Sequence, residues 1–264
     1  MLRETFLHVP GVGYATEERL WRAGIRSWDD VGRGRIDRVV GPRLARRIEA
    51  WTASSALALR RGRYRYFAQN LPGREHWRAW SEYKERAAFV DIETTGLDLG
   101  RDALTVVGVF DGHRTRSFVK GQNLEELPAA LKDRPMLVTF NGARFDLPFL
   151  RRAFPSLRLD QMHIDLLGPL RRLGFRGGLK LIEARLGIER SELTTGMSGF
   201  DAVRLWSAYQ AGDDDALEPL LAYNREDVVN LRPLAAFAYS GLRSMSLDMG
   251  FVTADAYATV ASSR

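Results

Sequence analysis

The chain has 264 residues, of which 45% are hydrophobic and 27% charged, enough for one large buried core or for a medium domain with a small appendage. Because it contains no cysteine, it cannot form disulfides or thiolate metal sites, and a bound metal ion would take oxygen or imidazole ligands. The N-terminus lacks the basic and apolar runs of a secretory signal, and no stretch reaches the ~18 apolar residues that span a bilayer, so we expect a cytoplasmic protein without membrane association.

Positive charge is concentrated at the start of the chain. The net charge is +6, but residues 1–86 contain 18 Arg and Lys against 10 Asp and Glu, whereas residues 87–264 contain 21 against 23. Such asymmetry predicts that the first third meets a polyanion, either nucleic acid or another anionic surface. The alternative is a basic face that is only solvated.

Short helices are predicted for the beginning of the chain. In residues 2–40, Pro10, Gly11 and Gly13 mark a tight turn, and residues 41–53 have the helical spacing of apolar side chains. The stretch FLHVPGVGYATEERLWRAGI resembles a helix-hairpin-helix motif. The resemblance implies that Gly11 and Gly13 let backbone N–H groups bind a phosphate of nucleic acid without reading its sequence.

Glu17 departs from the helix-hairpin-helix pattern, in which a small residue is commoner at that position. It would place an acid close to the bound phosphate, so a purely structural helical hairpin is the alternative interpretation. Residues 60–67 interleave four arginines with Tyr64, Tyr66 and Phe67. They either contact phosphates and stack on unpaired bases, or pack their aromatic rings inward.

From residue 87 onward, apolar strand patterns begin and then alternate with helices. Three successive strands joined by short turns form an antiparallel meander, and helices and two further strands follow. This order predicts an α/β fold in which a mixed five-stranded sheet is covered by helices, as in the ribonuclease H-like architecture. The predicted strands are 87–93, Leu104–Phe110, 114–119, 136–140 and Met162–Asp165, and the first predicted helices are 124–131 and 147–154.

Asp91 and Glu93 lie two positions apart in the first buried strand, so both carboxylates leave the same face. Two neighbouring carboxylates in a core strand need a compensating cation, and a divalent metal ion is the natural partner. The alternative is that the strand has ended by Asp91 and that the acids cap the turn that follows.

Two further segments carry candidate site residues. Asn141 and Asp146 follow the strand 136–140, at the edge where open α/β sheets collect ligands, although Asp146 is also a candidate N-cap for the next helix. Tyr223 and Asp227 are four positions apart and share one helix face, with an ordinary exposed polar pair as the alternative.

Taken together, the segments FVDIETTGL, NGARFD and YNRED resemble the three motifs of the DnaQ-like 3′–5′ exonuclease superfamily, and Tyr223 resembles its tyrosine branch. The resemblance implies that Asp91, Glu93 and Asp227 hold one Mg²⁺ or Mn²⁺ ion and that Asp91 and Asp146 hold a second. Tyr223 would orient the attacking water. Oxygen ligands suit these ions, and two of them can stabilise both the attacking and the leaving oxygen of a phosphodiester.

Other side chains near the motifs are candidates for substrate contact or for shaping the loops, namely Thr94, Thr95 and Asn141. Further blocks, REHWRAWSEY, GGLKLIEARLG and AVRLWSAY, resemble the YprB-type group of RNase H-like proteins over about residues 67 to 235. In the segment QMHIDLL of the same stretch, His163 and Asp165 are interpreted as a packed or hydrogen-bonded pair near the sheet edge.

The sequence therefore predicts a basic nucleic-acid-binding region at 1–80, a 3′–5′ exonuclease domain at 81–240 and a C-terminal tail at 241–264. The expected activity is metal-dependent hydrolysis of nucleic acid, with DNA favoured over RNA. A non-catalytic binding or scaffold protein on the same fold and a structure-specific endonuclease are the alternatives.

Overall fold

The computed structural model describes residues 1–32 and 36–247. The chain forms two compact units, one of Met1–Lys84 with Asp160–Ile164 and one of Glu85–Leu159 with the described residues from Asp165 onward. Of the predicted tail 241–264, residues 241–247 are the end of the last helix, and residues 248–264 lie outside the described residues. Within the described ranges, no helix has the length and apolar character needed to cross a membrane.

Residues 1–84 of the first unit are helical, as predicted. The largest fully buried side chains of this stretch include Phe6, Leu20, Ile48 and Phe67. Short 3-10 segments at Leu2–Glu4, Trp28–Asp30 and Gly73–Ala79 connect its helices. These helices are α1 (Tyr14–Arg22), α2 (Ile36–Val40), α3 (Pro42–Arg60), α4 (Tyr64–Asn70) and α5 (Trp80–Tyr83).

The aromatic side chains of residues 60–67 pack inward on α4. Tyr64 and Phe67 are buried, and the ring of Phe67 stacks on Trp28 with centroids 6.1 Å apart. The hydroxyl of Tyr66 lies 3.1 Å from that of Ser55 on α3. These rings therefore stabilise the helical unit, which is the packing alternative, and Tyr64 and Phe67 offer no stacking surface for bases.

The predicted mixed sheet has its strands in the order β3-β2-β1-β4-β5, and β1 to β4 lie in the second unit. β1 pairs antiparallel with β2 and parallel with β4, and β2 pairs antiparallel with β3, so the fold prediction is confirmed. Strand ends differ from prediction by one residue. The strands are β1 (Ala88–Thr94), β2 (Leu104–Phe110), β3 (Thr115–Val119), β4 (Met136–Thr139) and β5 (Met162–Asp165).

Helices cover both faces of the sheet. One face packs Val90 and Ile92 against α6 (Leu127–Leu131) and α7 (Asp146–Ala153). The other packs Val106 against Trp206 of α10 (Gly199–Gln210) and Tyr223 of α11 (Leu217–Leu247). The remaining helices are α8 (Leu167–Arg172) and α9 (Leu179–Arg185). Because side chains alternate along β1, Asp91 and Glu93 leave the face opposite Val90 and Ile92 and point towards α11.

Candidate metal centre and active site

Three carboxylates converge between β1 and α11. Asp91 and Glu93 come from β1 and Asp227 from α11, and one oxygen of each lies within 4.8 Å of the others. Glu93 is 7% and Asp227 6% exposed. The spacings predicted from the sequence, two along a strand and four along a helix, thus bring these side chains to one point.

α11 lies close to the sheet because β2 has a glycine beneath it. A Cβ on Gly108 would overlap Oδ1 of Asn224 and would lie 3.0 Å from Cγ1 of Val228. Gly108 is also the residue of β2 that pairs with Asp91 of β1. The Nδ2 group of Asn224 donates a hydrogen bond of 2.9 Å to Oδ2 of Asp91, so this approach ties the helix to the carboxylate.

Burial and mutual repulsion disfavour the ionised forms of these acids. Burial, and then the neighbouring carboxylates, raise the pKa of Asp91 and of Glu93 well above the ordinary values. Burial also raises the pKa of Asp227, but the Arg190 guanidinium opposes the shift and limits the pKa to about 6. A divalent cation with hard oxygen ligands relieves such repulsion, so the cluster fits Mg²⁺ or Mn²⁺.

Asp146 is the first residue of α7 and is also buried, 3% exposed. Phe145 is the N-cap of this helix and no side-chain cap bond is present, so Asp146 is not the N-cap that it resembled in the sequence. Burial, with Asp165 and Asp227 nearby, raises the pKa of Asp146 to about 8. Its Oδ1 atom is buried without a hydrogen-bond partner among the described residues. A buried carboxylate oxygen without a hydrogen-bond partner is suited to be a ligand of a second cation.

A buried ion-pair network that no sequence motif signalled holds Asp227. Nε and Nη2 of Arg190 donate to the carboxylate of Glu183 over 2.7 and 2.9 Å, and Nη2 also donates to Asp227. The side chain of Arg190 is 8% and that of Glu183 1% exposed. Because these residues lie 37 and 44 positions before Asp227, local spacing gives no clue to the contact.

Tyr223 lies one helical turn before Asp227, as predicted, and is buried. The ammonium of Lys180 donates to its hydroxyl oxygen over 2.6 Å and lies 3.9 Å from the ring centroid. Burial and the carboxylates of Asp227, Glu93 and Asp91 raise the pKa of Tyr223, so the phenol stays protonated. Lys180 was not found from the sequence either.

The other predicted contacts of the site lie in its loops. Thr94 Oγ1 donates to the carbonyl of Gly96 over 2.5 Å, and Thr95 Oγ1 donates to Asp102 over 3.0 Å. Asn141 has a φ of +62°, and its backbone N–H donates to Asp165 over 2.7 Å. All three residues shape turns beside the carboxylates.

His163 and Asp165, the pair proposed near the sheet edge, make separate hydrogen bonds, and the carboxylate of Asp165 accepts from backbone N–H groups. Its carboxylate also accepts the N–H groups of Ala143 and Leu167, over 3.1 and 3.2 Å. His163 donates its backbone N–H to Nδ1 of His76 over 2.9 Å. Asp165 thus holds the loop that leads from β4 towards Asp146.

In the first unit, Gly11 has a φ of +89° and Gly13 is the N-cap of α1. Glu17 is turned inward, 1% exposed, where it accepts from the hydroxyl of Thr5 over 2.6 Å and pairs with Arg78 over 3.2 Å. Its carboxylate therefore serves the interior of the unit and does not compete for a phosphate at the turn.

A second glycine turn, missed in the sequence, lies beside the first. Gly41 has a φ of +80° and precedes α3, and one surface concavity is lined by Gly11, Gly41, Arg43 and Arg47 together with Val40, Pro42 and Leu44. Nη1 of Arg47 donates to the carbonyl of Pro10 over 3.1 Å. Two glycine turns and two arginines thus share one side of the unit.

The sheet order and the acid cluster define an RNase H-like nuclease fold. The family model RNase_H_2, described as RNase_H superfamily, matches residues 88–239, and the chain belongs to this superfamily. No curated protein matches the chain.

Solved structures to which this chain is similar include Brucella melitensis NrnC bound to pGG, at 26% identity over 69% of this chain and 84% of that one, with a TM-score of 0.45. NrnC of the same organism with bound Mg²⁺ matches at 26% identity over 68% and 82%, with a TM-score of 0.42. A structure described as the apo form of the nuclease matches at 23% identity over 69% and 83%, with a TM-score of 0.45.

Proposed function

We propose that this protein is a two-metal nuclease that hydrolyses phosphodiester bonds of nucleic acid, acts from the 3′ end and favours DNA over RNA. The observation that carries the proposal is the convergence of half-buried Asp91 with buried Glu93 and Asp227, where one oxygen of each lies within 4.8 Å of the others. Three carboxylates at this distance and largely out of water repel one another when ionised, and a divalent cation relieves that repulsion. The motif resemblance supports the further proposal that the protein belongs to the tyrosine branch of the DnaQ-like exonucleases and to its YprB-type group.

In this mechanism, Asp91, Glu93 and Asp227 would hold one ion, and Asp91 with Asp146 the second. Two divalent ions held there would supply charge neutralisation for the attacking and the leaving oxygen of a phosphodiester. Tyr223 donates its hydroxyl hydrogen to the attacking water and so orients that water. Hydrolysis joins the water oxygen to phosphorus and breaks the bond to the 3′ oxygen, which leaves with a proton.

The helical unit is proposed to bind the nucleic-acid backbone as a helix-hairpin-helix module. The excess of Arg and Lys over Asp and Glu in residues 1–86 supports this role. By resemblance, Gly11 and Gly13 would offer backbone N–H groups to a phosphate, and Arg43 and Arg47 line the same concavity as Gly11 and Gly41. Contacts of this kind hold a phosphate chain without reading bases.

The experiment combines metal binding with hydrolysis. Mn²⁺ at about 100 times its Kd should stabilise the wild type by about 2.7 kcal/mol in thermal melts. Asp91→Asn and Asp227→Asn should lose this gain and at least about 100-fold in rate, since a metal ligand is removed. Asp214→Asn, a substitution of an exposed acid on the same unit, is the matched control and should behave as wild type.

Oligonucleotides of DNA and RNA labelled at either end give the polarity and the sugar preference. Equal stabilisation of all variants by Mn²⁺ would refute the metal centre. Stabilisation of the wild type without hydrolysis of any strand would instead establish a binding or scaffold protein on the same fold. Internal cuts without end-dependent products would replace exonuclease with endonuclease action.

A further inference from the structure

Lys180 is the second residue of α9, and its ammonium lies against the residue that the proposed mechanism uses to orient water. It donates to the hydroxyl oxygen of Tyr223 over 2.6 Å and donates a second hydrogen bond to the backbone carbonyl of Met197. We infer that Lys180 is a positioning residue that fixes the direction in which Tyr223 donates its hydroxyl hydrogen. The inference rests on the proposed nuclease function.

The single hydrogen of a phenol limits what the Tyr223 hydroxyl can do. A protonated tyrosine has one hydrogen to donate and accepts through its oxygen lone pairs, whereas a lysine ammonium can only donate. Since Lys180 donates to the oxygen of Tyr223, the phenolic hydrogen must point away from the lysine. A free hydroxyl rotates about its C–O bond, so the lysine removes rotational states that would aim the hydrogen elsewhere.

The lysine is itself held on more than one side. The carbonyl of Met197 accepts from it, and the ammonium lies 3.9 Å from the centroid of the Tyr223 ring, within the range of a cation–π contact. A side chain with several contacts loses its usual freedom, so it can fix a partner in place. The hydrogen bond to Met197, in the segment before α10, defines the competing role: a structural support (a strut) that only holds this segment.

The positive charge of Lys180 distinguishes its expected effect on metal binding from that of a metal ligand. The ammonium of Lys180 interacts electrostatically with Asp227 and Glu93, but it cannot coordinate a metal ion and repels one weakly. Removing it should therefore leave the affinity for Mn²⁺ unchanged or raise it, while the orientation of Tyr223 is lost. A ligand or a structural support of a ligand would give the opposite result, weaker binding of Mn²⁺.

The test is a double-mutant cycle in the full chain, with Lys180→Met and Tyr223→Phe alone and together. Activity is measured as kcat and KM on a 3′-labelled oligodeoxynucleotide with Mn²⁺, and the affinity for Mn²⁺ by calorimetry. Lys180→Met should lower kcat by about 10-fold or more, the scale expected when one orienting hydrogen bond is removed, with KM changed less than about 2-fold. In the Tyr223→Phe background the same substitution should cost less than about 2-fold, because there is no hydroxyl left to orient.

Lys132→Met is the matched control, because it makes the same chemical change at an exposed position of the same unit and should leave all values as in wild type. Lys180→Arg keeps a donor and should retain more activity than Lys180→Met. Melting temperatures are measured for every variant, and if Lys180→Met does not fold, Lys180→Arg and Lys180→Gln carry the cycle.

Equal losses of kcat in both backgrounds would overturn the inference, because Lys180 would then act independently of the tyrosine hydroxyl. An unchanged kcat in Lys180→Met would also overturn it. So would a weaker affinity for Mn²⁺, because that result indicates a structural support of the segment around Met197. A wild type without Mn²⁺-dependent hydrolysis would refute the proposed function, and the inference with it. An active wild type with an equally active Lys180→Met would refute the inference alone.

Discussion

Arg190 shows how one side chain decides the electrostatics of this site. Its guanidinium lies between the carboxylates of Glu183 and Asp227, and all three groups are buried. Taking charges out of water costs several kcal/mol for each ion, which only close pairing offsets. Removing either partner of the Glu183–Arg190 pair would therefore leave the other as a buried charge without compensation, which destabilises the fold.

Substitution of Arg190 tests this dependence. Arg190→Met leaves the Glu183 carboxylate buried and unpaired, so the free energy of unfolding should fall by about 3–5 kcal/mol in urea titrations without metal. Adding Glu183→Leu should recover part of the loss, because no uncompensated charge then remains. Arg225→Met, which breaks an exposed pair with Glu218, should cost only about 0–1 kcal/mol. A loss for Arg190→Met no larger than for Arg225→Met would show that the buried pair contributes nothing.

At the level of elements, the site depends on how closely α11 lies on β2. Gly108 has no side chain to separate them, and Asn224 reaches Asp91 through the space that results. Any residue with a Cβ at position 108 must displace the helix or the amide of Asn224. The glycine in the run LTVVGVF, which weakens a strand by itself, is thus explained by the helix packed above it.

Gly108→Ala should therefore damage stability and metal binding together. We expect a loss of about 1–3 kcal/mol in unfolding free energy from overpacking. The affinity for Mn²⁺ should fall by about 10-fold or more, since Asn224 orients Asp91 and α11 carries Asp227. Gly168→Ala is the control, because a Cβ there meets nothing within 4 Å. If calorimetry gives the same Kd for Mn²⁺ in Gly108→Ala as in wild type, this glycine does not position the site.

Over the whole molecule, charge is unevenly distributed along the chain, and the basic part, residues 1–86, includes most of the helical unit. Arg43 and Arg46 are exposed on α3, and Arg43 lines the concavity between the two glycine turns. In the proposed function, these side chains neutralise phosphates and release counterions. Such contacts supply affinity that depends on salt but not on base sequence.

The salt dependence of DNA binding tests whether the arginines of the helical unit neutralise phosphates. Arg43→Gln with Arg46→Gln should weaken DNA binding equally for unrelated sequences and flatten the log–log salt slope by about 0.7–0.9 for each phosphate that is no longer neutralised. The hydrolytic rate at saturating DNA should not change. Arg114→Gln, at an exposed position of the β2–β3 turn, is the control. An unchanged slope in the double variant would mean that this face meets another partner.

The sequence by itself determined the sheet and the placement of the acids within their elements. Covalent geometry puts Asp91 and Glu93 on one face of a strand and Tyr223 and Asp227 on one face of a helix, whatever surrounds them. The strand patterns likewise placed each strand of the sheet to within one residue. Periodicity is a local property, and it is readable without the fold.

Only the tertiary structure decided which side chains meet these elements from elsewhere in the chain. Lys180 and Arg190 reach Tyr223 and Asp227 across 43 and 37 positions, and Glu17 turned out to be an internal partner of Arg78 and not an acid beside a phosphate. Such contacts follow no spacing rule. They form because a buried charge or hydroxyl must find a partner in space, and the packing of helices on the sheet decides which partner is within reach.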